Sequence, residues 1–331
     1  MPEVSIVIVS YNTISVLDNC ISSLREIEDK SLYEIIVVDN CSIDGSKDYL
    51  CKKYPYIRWV QLEYNSGFSR ASNKGAINAT GKYILMLNAD TIFVEPVLKD
   101  CAEYMDLNKS VGALGIRLLN LDRSLQLSYY NHPCIKEAIK NNSLYIFITK
   151  HFKKASSGFS KIENLIEKHK TKHDAPWLSG AFLFIRNVDN YRVLFDEDFF
   201  MYSEDYVLCK TIREKSYRVV YNPENSIIHI GGNVEKTRTE QIIISSWLAI
   251  YKINGLFYFI IYVVILLIND AFDETLYIKQ RIFKKLNEQD IKSKLMRRKI
   301  LFLLKKYFWI IIIKFKIRPS SSNKTLKYDH A

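Results

Sequence analysis

The sequence predicts an α/β fold: a mostly parallel central sheet with helices on both faces. Three observations predict it. Short apolar runs recur from the start of the chain, stretches with helical spacing alternate with them, and each run stops at a polar residue. Strands buried on both faces read as continuous apolar runs, and their carboxyl ends form the edge at which open α/β sheets bind ligands.

Val4 to Val9 is the first run, ending at Ser10-Tyr11-Asn12. Val16, Leu17, Cys20, Ile21 and Leu24 then recur at helical spacing and predict a helix over about 15–28. Glu34 to Val38 is the second strand, closing on Asp39. The turn from Cys41 to Ser46 starts a helix reaching Lys53, and Ile57 to Leu62 is a third strand. Asn65-Ser66-Gly67-Phe68 opens the next helix, where Gly67 permits a tight turn and Arg70 and Asn73 share a face that could meet a nucleotide. Tyr83 to Leu87 is the central strand and stops at Asn88-Ala89-Asp90. Glu95 to Leu107 is helical, and Val111 to Leu119 is a strand entering a hairpin near residues 120–123.

Residues 131–175 lose the clear period. His132, His151, His169 and His173 fall there without ligand spacing and read as surface histidines. Order returns with a strand from Trp177 to Arg186, in which Gly180-Ala181 would let a ligand approach the backbone. Two acidic clusters, Asp196-Glu197-Asp198 and Glu204-Asp205, flank an aromatic block, and the second opens a helix with Ser203 as N-cap. Tyr217 to Tyr221 is a short strand, Asn222-Pro223-Glu224 turns the chain, and His229 follows between apolar residues ahead of Gly231-Gly232.

No GxGxxG follows the first strand and no GxxxxGKS/T occurs, so phosphates must be held in another manner. Asp39 either contacts a ribose or pyrimidine base or caps its own turn. Asn88 and Asp90 either hold a divalent cation on a diphosphate or form a plain turn. His229 is a core histidine or a second group on the same cation. Glu204 and Asp205 serve helix stability, or one of them accepts a proton from a hydroxyl.

Together these motifs resemble an inverting nucleotide-sugar glycosyltransferase of family 2, within it the bacterial rhamnosyltransferase-like branch. The resemblance covers about residues 3–255. It rests on residues 5–12, on 37–46, on Asn65-Ser66-Gly67-Phe68 with Asn73-Lys74-Gly75, on Leu87-Asn88-Ala89-Asp90-Thr91, on Ser179-Gly180-Ala181, on residues 195–205 and on His229. It implies a glycosyltransferase A-type fold at 1–255, with a nucleotide-binding half at about 1–120 and an acceptor half at about 121–255. Ser10, Tyr11, Asn12, Asp39, Asn65, Gly67, Arg70, Asn73, Asn88, Gly180 and Ala181 would bind the nucleotide-sugar, Asp39 through the base. Asp90 would coordinate Mg2+ or Mn2+, with His229 as second ligand or diphosphate contact, and Asp205, beside Glu204, would be the general base. The family's metal motif begins with Asn88 here, so only Asp90 supplies a carboxylate. Val207 departs from the pattern, since many relatives carry an acid there. The branch implies dTDP-rhamnose as donor, then a uridine diphosphate hexose or galactofuranose, with a lipid-linked or polysaccharide acceptor of the cell envelope.

The 331 residues carry a net charge of +11, and all of that excess lies in residues 271–331, which hold 16 Lys+Arg against 5 Asp+Glu. Leu256 to Ile268 is an uncharged run of thirteen, short of the roughly 20 residues that span a bilayer, and Tyr307 to Ile313 is shorter and bordered by lysines. This basic, apolar region at 256–318 predicts helices lying on an anionic membrane surface at the cytoplasmic face. A single spanning helix is the second choice, and packing on the catalytic domain or between copies in a homodimer is the third. Residues 319–331 read as a disordered tail. Six cysteines without paired spacing predict free thiols, and a strand that begins at Val4 leaves no room for a signal peptide ahead of it, so the catalytic part is expected in the cytosol. A nucleic-acid-binding module fits poorly, because the lysines interleave with aliphatic runs and no recognised motif is present. A nucleotidyltransferase would need a glycine-rich loop after the first strand, which is missing.

Overall fold

The computed structural model describes residues 2–131, 134–140, 166–188, 193–231 and 236–282, with individual residues between 291 and 311. The described residues fall in two compact units, one drawn from 1–131 and 160–234 and the other from 132–159 and 235–324.

The first unit begins with β1 (Val4–Ser10), α1 (Ile14–Ile27), β2 (Tyr33–Asp39), α2 (Ser46–Lys53), β3 (Arg58–Gln61), α3 (Phe68–Ile77), β4 (Tyr83–Asn88) and β5 (Thr91–Phe93). The spacing of Leu17, Cys20, Ile21 and Leu24 does what a helical stripe should, since all four are buried. On β4, Tyr83 to Leu87 are at most 1% exposed, and alternate residues join two separate apolar cores, one on each face of the sheet. Each such side chain contributes about 1.5–3 kcal/mol on burial, so this strand is the spine of the unit.

α4 (Leu98–Leu107) starts three residues after Glu95, where the Glu28 carboxylate accepts from the Val97 and Leu98 amides at 2.6 and 3.1 Å. β6 (Val111–Leu119), β7 (Leu125–Gln126) and β8 (Tyr129–Tyr130) follow, and β6 and β7 form the expected hairpin. Beyond α5 (Ile135–Lys140) come β9 (His173–Asp174), β10 (Trp177–Leu178), β11 (Phe182–Arg186), α6 (Glu204–Glu214), β12 (Arg218–His229) and α7 (Lys236–Ile282). The single strand expected over Trp177–Arg186 is therefore two: β10 pairs with β8, and β11 joins the main sheet after the break at Gly180-Ala181. The short strand expected over Tyr217–Tyr221 runs on instead to His229 as β12, which absorbs the turn at Asn222-Pro223-Glu224 as a bulge between Asn222 and Ser226.

The sheet runs β3-β2-β1-β4-β11-β6-β12-β5, with β7 on β6 and β9 on β12. β3, β2, β1 and β4 are mutually parallel, and so are β6 and β12, while β11 runs antiparallel between β4 and β6. Strand order reverses at β1, which has β2 on one side and β4 on the other. Ser10 pairs with Asp39 and Val9 with Asn88, so the polar ends of all three strands align at the switch point.

One expectation fails here. His169 is buried, not on the surface: its ring stacks on Tyr129 at 4.1 Å and its Nε2 accepts the Ser128 amide at 3.3 Å. His173 is partly buried against Tyr129 and Tyr221. His132, His151, most of the excursion at 131–175 and the tail at 319–331 lie outside the described residues. All six cysteines are free, three of them buried.

The second unit is helical. α7 is broken at Gly255, whose φ of 83° and ψ of 173° are non-helical, so two rods meet there. The Ile135 amide donates to the Tyr258 hydroxyl at 2.8 Å, and Phe259 is buried against Tyr251 and Phe308. Phe257, Ile260, Val264, Leu267 and Ile268 are exposed, at i, i+3, i+7, i+10 and i+11 spacing, which is one stripe of the helix. The thirteen-residue run of the sequence thus sits inside a longer element. Thr239–Ile278, whose most apolar stretch of 18 residues has a mean hydropathy of 2.1, is long and apolar enough by length and composition to cross a membrane.

Candidate active site

The loops after β1 and β2 are stitched together at the switch point. Asn12, at φ 53°, accepts the Ile43 amide through Oδ1 and donates its own amide to Ser42 Oγ, each at 2.9 Å. Ser10 Oγ meets Thr13 Oγ1 at 2.9 Å, while Tyr11 is 47% exposed. Asp39 is buried and its carboxylate accepts from the Ser42 amide and hydroxyl and from Gln61 Nε2, so it caps its turn and lies at the sheet edge. Asn65 Oδ1 accepts from Asn40 Nδ2 and from the Gly67 amide, which fixes the loop ahead of α3.

The shared face of Arg70 and Asn73 exists, and it meets the first acidic cluster and the residues just ahead of it. Asn73 is 2% exposed, its Oδ1 accepts the Leu194 and Phe195 amides at 2.9 and 2.8 Å, and its Nδ2 donates to the Phe195 carbonyl at 2.8 Å. Arg70 Nε lies 3.7 Å from Glu197 Oε2. Gly67, at φ 83°, is where Phe200 comes closest: a Cβ there would stand 2.5 Å from the Phe200 carbonyl oxygen, which accepts the Phe68 amide at 2.6 Å. The first turn of α3 thus holds the segment that leads to Glu204-Asp205.

That segment ends on two consecutive left-handed residues, Tyr202 at φ 71° and Ser203 at φ 65°, and Ser203 makes no side-chain cap. Such backbone persists where surrounding structure over-determines it, and functional sites are common places for it. It delivers Asp205 to β11's entrance, where Oδ2 accepts the Gly180 amide at 2.9 Å and Oδ1 the Tyr206 amide at 2.8 Å. Burial raises the Asp205 pKa, and the nearby Trp177 indole, which makes no hydrogen bond, and those two donating amides oppose the rise. Burial, then the Asp205 charge, raise Glu204 well above the ordinary range, and its Oε2 is buried without a partner. The hydrogen-bond donors favour charge on Asp205, so the pair keeps its proton on Glu204. Tyr130 stands by Trp177 at 4.8 Å and is 36% exposed; local desolvation and the Asp205 charge both raise its hydroxyl above the ordinary tyrosine value. Trp177 also packs on Tyr206, at 5.1 Å. The sequence reading gave Trp177, Tyr130 and Tyr206 no part here; aromatic density near the acidic motif was the only signal.

At the other end of the same ladder, the Asn88 amide donates to the Ala181 carbonyl at 3.1 Å. Asn88 and Asp205 are therefore each one hydrogen bond away from the Gly180-Ala181 dipeptide. β5 pairs Thr91 with His229, which brings His229 Nε2 to 3.3 Å from both Asp90 Oδ1 and Asn88 Nδ2. Two cis ligands on an octahedral cation with bonds of about 2.1 Å stand about 3 Å apart, so Asp90 and His229 fit Mg2+ or Mn2+. Among the described residues no group of three His, Cys, Asp or Glu side chains gathers, so such a cation would complete its shell with phosphate oxygens or water.

Residues 5–186 match the family model described as Glycosyl transferase family 2. A putative teichuronic acid biosynthesis glycosyltransferase of Bacillus subtilis, TuaG, is 28% identical over 187 residues, which is 54% of this chain and 71% of that protein. A poly(ribitol-phosphate) beta-glucosyltransferase of Bacillus spizizenii is 35% identical over 118 residues, 34% of this chain and 19% of the relative, so this chain spans only about a fifth of it. The solved mannosyltransferase PcManGT from Pyrobaculum calidifontis, in complex with GDP-Man and Mn2+, superposes with a TM-score of 0.54 at 13% identity, over 93% of this chain and 87% of that one. The fold is thus glycosyltransferase A-like.

Proposed function

The chain belongs to glycosyl transferase family 2, and from that premise we propose that it moves one sugar from a nucleoside diphosphate-sugar to a hydroxyl of a cell-envelope glycan, with inversion at the anomeric carbon. The observation that carries this reading is the Gly180-Ala181 dipeptide, bonded to Asn88 on one side and to Asp205 on the other, which sets the cation pair and the acidic pair at neighbouring points of one sheet edge.

In this reading Asp205 accepts the proton of the acceptor hydroxyl as that oxygen attacks the anomeric carbon and the bond to the nucleoside diphosphate breaks. Neutral Glu204 keeps a second negative charge away from the nucleophile, and the Tyr130–Trp177 pair offers an aromatic wall on the acceptor side. Asp90 and His229 would hold Mg2+ or Mn2+, which when bound supplies positive charge against the departing diphosphate. No second carboxylate acts as nucleophile, in contrast to a retaining glycosidase.

dTDP-rhamnose is the first donor proposed, on the resemblance of the motifs. A uridine diphosphate hexose is the second, favoured by relatives whose names specify glucosyl and galactosyl transfer. The teichuronic acid and poly(ribitol-phosphate) relatives support a cell-envelope glycan as acceptor. Residues 1–255 are proposed as the catalytic domain and 256–318 as the membrane-associating region at the cytoplasmic face. Asp270, Asp273 and Glu274 follow Ile268 closely, and acids are costly in hydrocarbon, at about 2.5–3.5 kcal/mol for an Asp at the centre of a span. The exposed stripe from Phe257 to Ile268 instead suits a helix lying in the interface.

Donor-panel thermal shift with Mn2+, followed by turnover of Asp205→Asn, tests the proposal. The variant should lose at least about 1,000-fold in turnover while keeping donor affinity within a few-fold. Unchanged turnover removes Asp205 from the role of base.

A further inference from the structure

Gln126, at the end of β7, contacts His229 twice. Its Nε2 lies 3.1 Å from the His229 main-chain carbonyl and 2.9 Å from Asn120 Oδ1. A main-chain carbonyl only accepts, so the nitrogen of the Gln126 amide belongs on that side, and Oε1 is the atom that meets His229 Nδ1 at 2.6 Å. Oε1 also only accepts, so Nδ1 carries a proton. In the neutral ring the other nitrogen, Nε2, is then bare, and it is the atom that faces Asp90 Oδ1 and Asn88 Nδ2.

We infer that Gln126 is a positioning residue that holds His229 as its Nδ1–H tautomer and aims the Nε2 lone pair at the place beside Asp90 where a divalent cation binds. The inference rests on the cation reading proposed above. The hairpin makes the aim stiff: Gln126 pairs with Leu118 on β6, and Asn120, which receives its Nε2, itself donates to Ser124 Oγ at 2.9 Å. A ring with no acceptor at Nδ1 can rotate or move its proton to Nε2, and a protonated Nε2 binds no metal. One glutamine from outside every recognised motif thereby decides whether a histidine at the end of β12 is a ligand.

The experiment measures Mn2+ affinity of the full-length protein by electron paramagnetic resonance of free Mn2+, with and without UDP or dTDP. Gln126→Leu should weaken Mn2+ about 10- to 100-fold, the range for losing such an orienting partner. His229→Ala should weaken it at least as much, and the double variant no further, because the two act as one unit. Gln126→Glu keeps an acceptor at Nδ1 and should stay within about fivefold of wild type. Wild-type affinity in Gln126→Leu beside a weakened His229→Ala overturns the role of Gln126 alone. A Gln126→Glu as weak as the leucine variant does so too, since it assigns the effect to the Nε2 bonds. Unaltered Mn2+ binding in His229→Ala, or none in the wild type, overturns the cation reading itself. Should the leucine variant fail to fold, 15N spectra of the wild type assigned against His229→Ala decide: protonated Nδ1 supports the inference and protonated Nε2 refutes it.

Discussion

Asn73→Ala separates the two parts that Asn73 has been given, nucleotide contact from the sequence and backbone clamp from the structure. The substitution removes one bond to the Phe195 carbonyl and two from the Leu194 and Phe195 amides, at 2.8 to 2.9 Å, and a longer one to Glu197 Oε1 at 3.2 Å. Leu194 is 6% and Phe195 0% exposed, so no water replaces the lost partner. Each bond contributes about 1 kcal/mol net, and leaving the groups buried and unpaired makes the total about 3–4 kcal/mol. A loss of that size lowers the melting temperature by roughly 6–16 °C in a domain of this length. Because the clamped segment runs on to Glu204-Asp205, turnover should fall with stability, while donor affinity measured by calorimetry below the melting range should move little. A variant that melts like wild type yet binds donor more than about tenfold more weakly would refute the clamp and return Asn73 to the nucleotide.

Gly67→Ala forces a Cβ within 2.5 Å of the Phe200 carbonyl at a φ and ψ that are nearly exclusive to glycine, so melting should drop by several degrees and turnover with it; wild-type melting would contradict the close approach. Glu204→Gln tests the buried proton. A carboxyl raised above its unfolded value of 4.5 keeps a proton that the unfolded chain releases, so wild-type stability falls as pH rises from there toward the folded-state pKa, by up to about 1.4 kcal/mol per unit. The variant lacks that slope, and its advantage in melting temperature should grow between pH 5 and pH 8; a constant gap would place the proton elsewhere. Membrane fractions washed at alkaline pH should release the protein, and retention in the pellet would favour a spanning helix over an interfacial one.

The repeating strand-and-helix pattern was legible because burial on both faces leaves a plain mark, as Tyr83 to Leu87 show. The edge residues Ser10, Asp39 and Asn88 were legible for a related reason, since an apolar run that stops at a polar residue announces where the strand leaves the core, and the acidic pair at 204–205 was legible as the start of a helix after an aromatic block. Partners were not. The face shared by Arg70 and Asn73 could be deduced from helical spacing, but what lies against it comes from a segment more than 120 residues later, and no local pattern encodes that. Gln126 stood in a hairpin of ordinary polarity. His169 gave no hint of burial, because its stacking partner Tyr129 and its donor Ser128 arrive from the far side of an excursion without periodicity.

Gly255 has open space around its α-carbon: nothing lies within 4 Å of where a side chain would begin. The bend in α7 needs a residue that tolerates this extended, positive-φ backbone, which costs any other residue about 1–3 kcal/mol, while Tyr251 and Phe259 pack on each other across it. A substitution at this one position would press on the heading of the apolar rod through backbone strain alone, since the new β-carbon would meet no neighbouring atom.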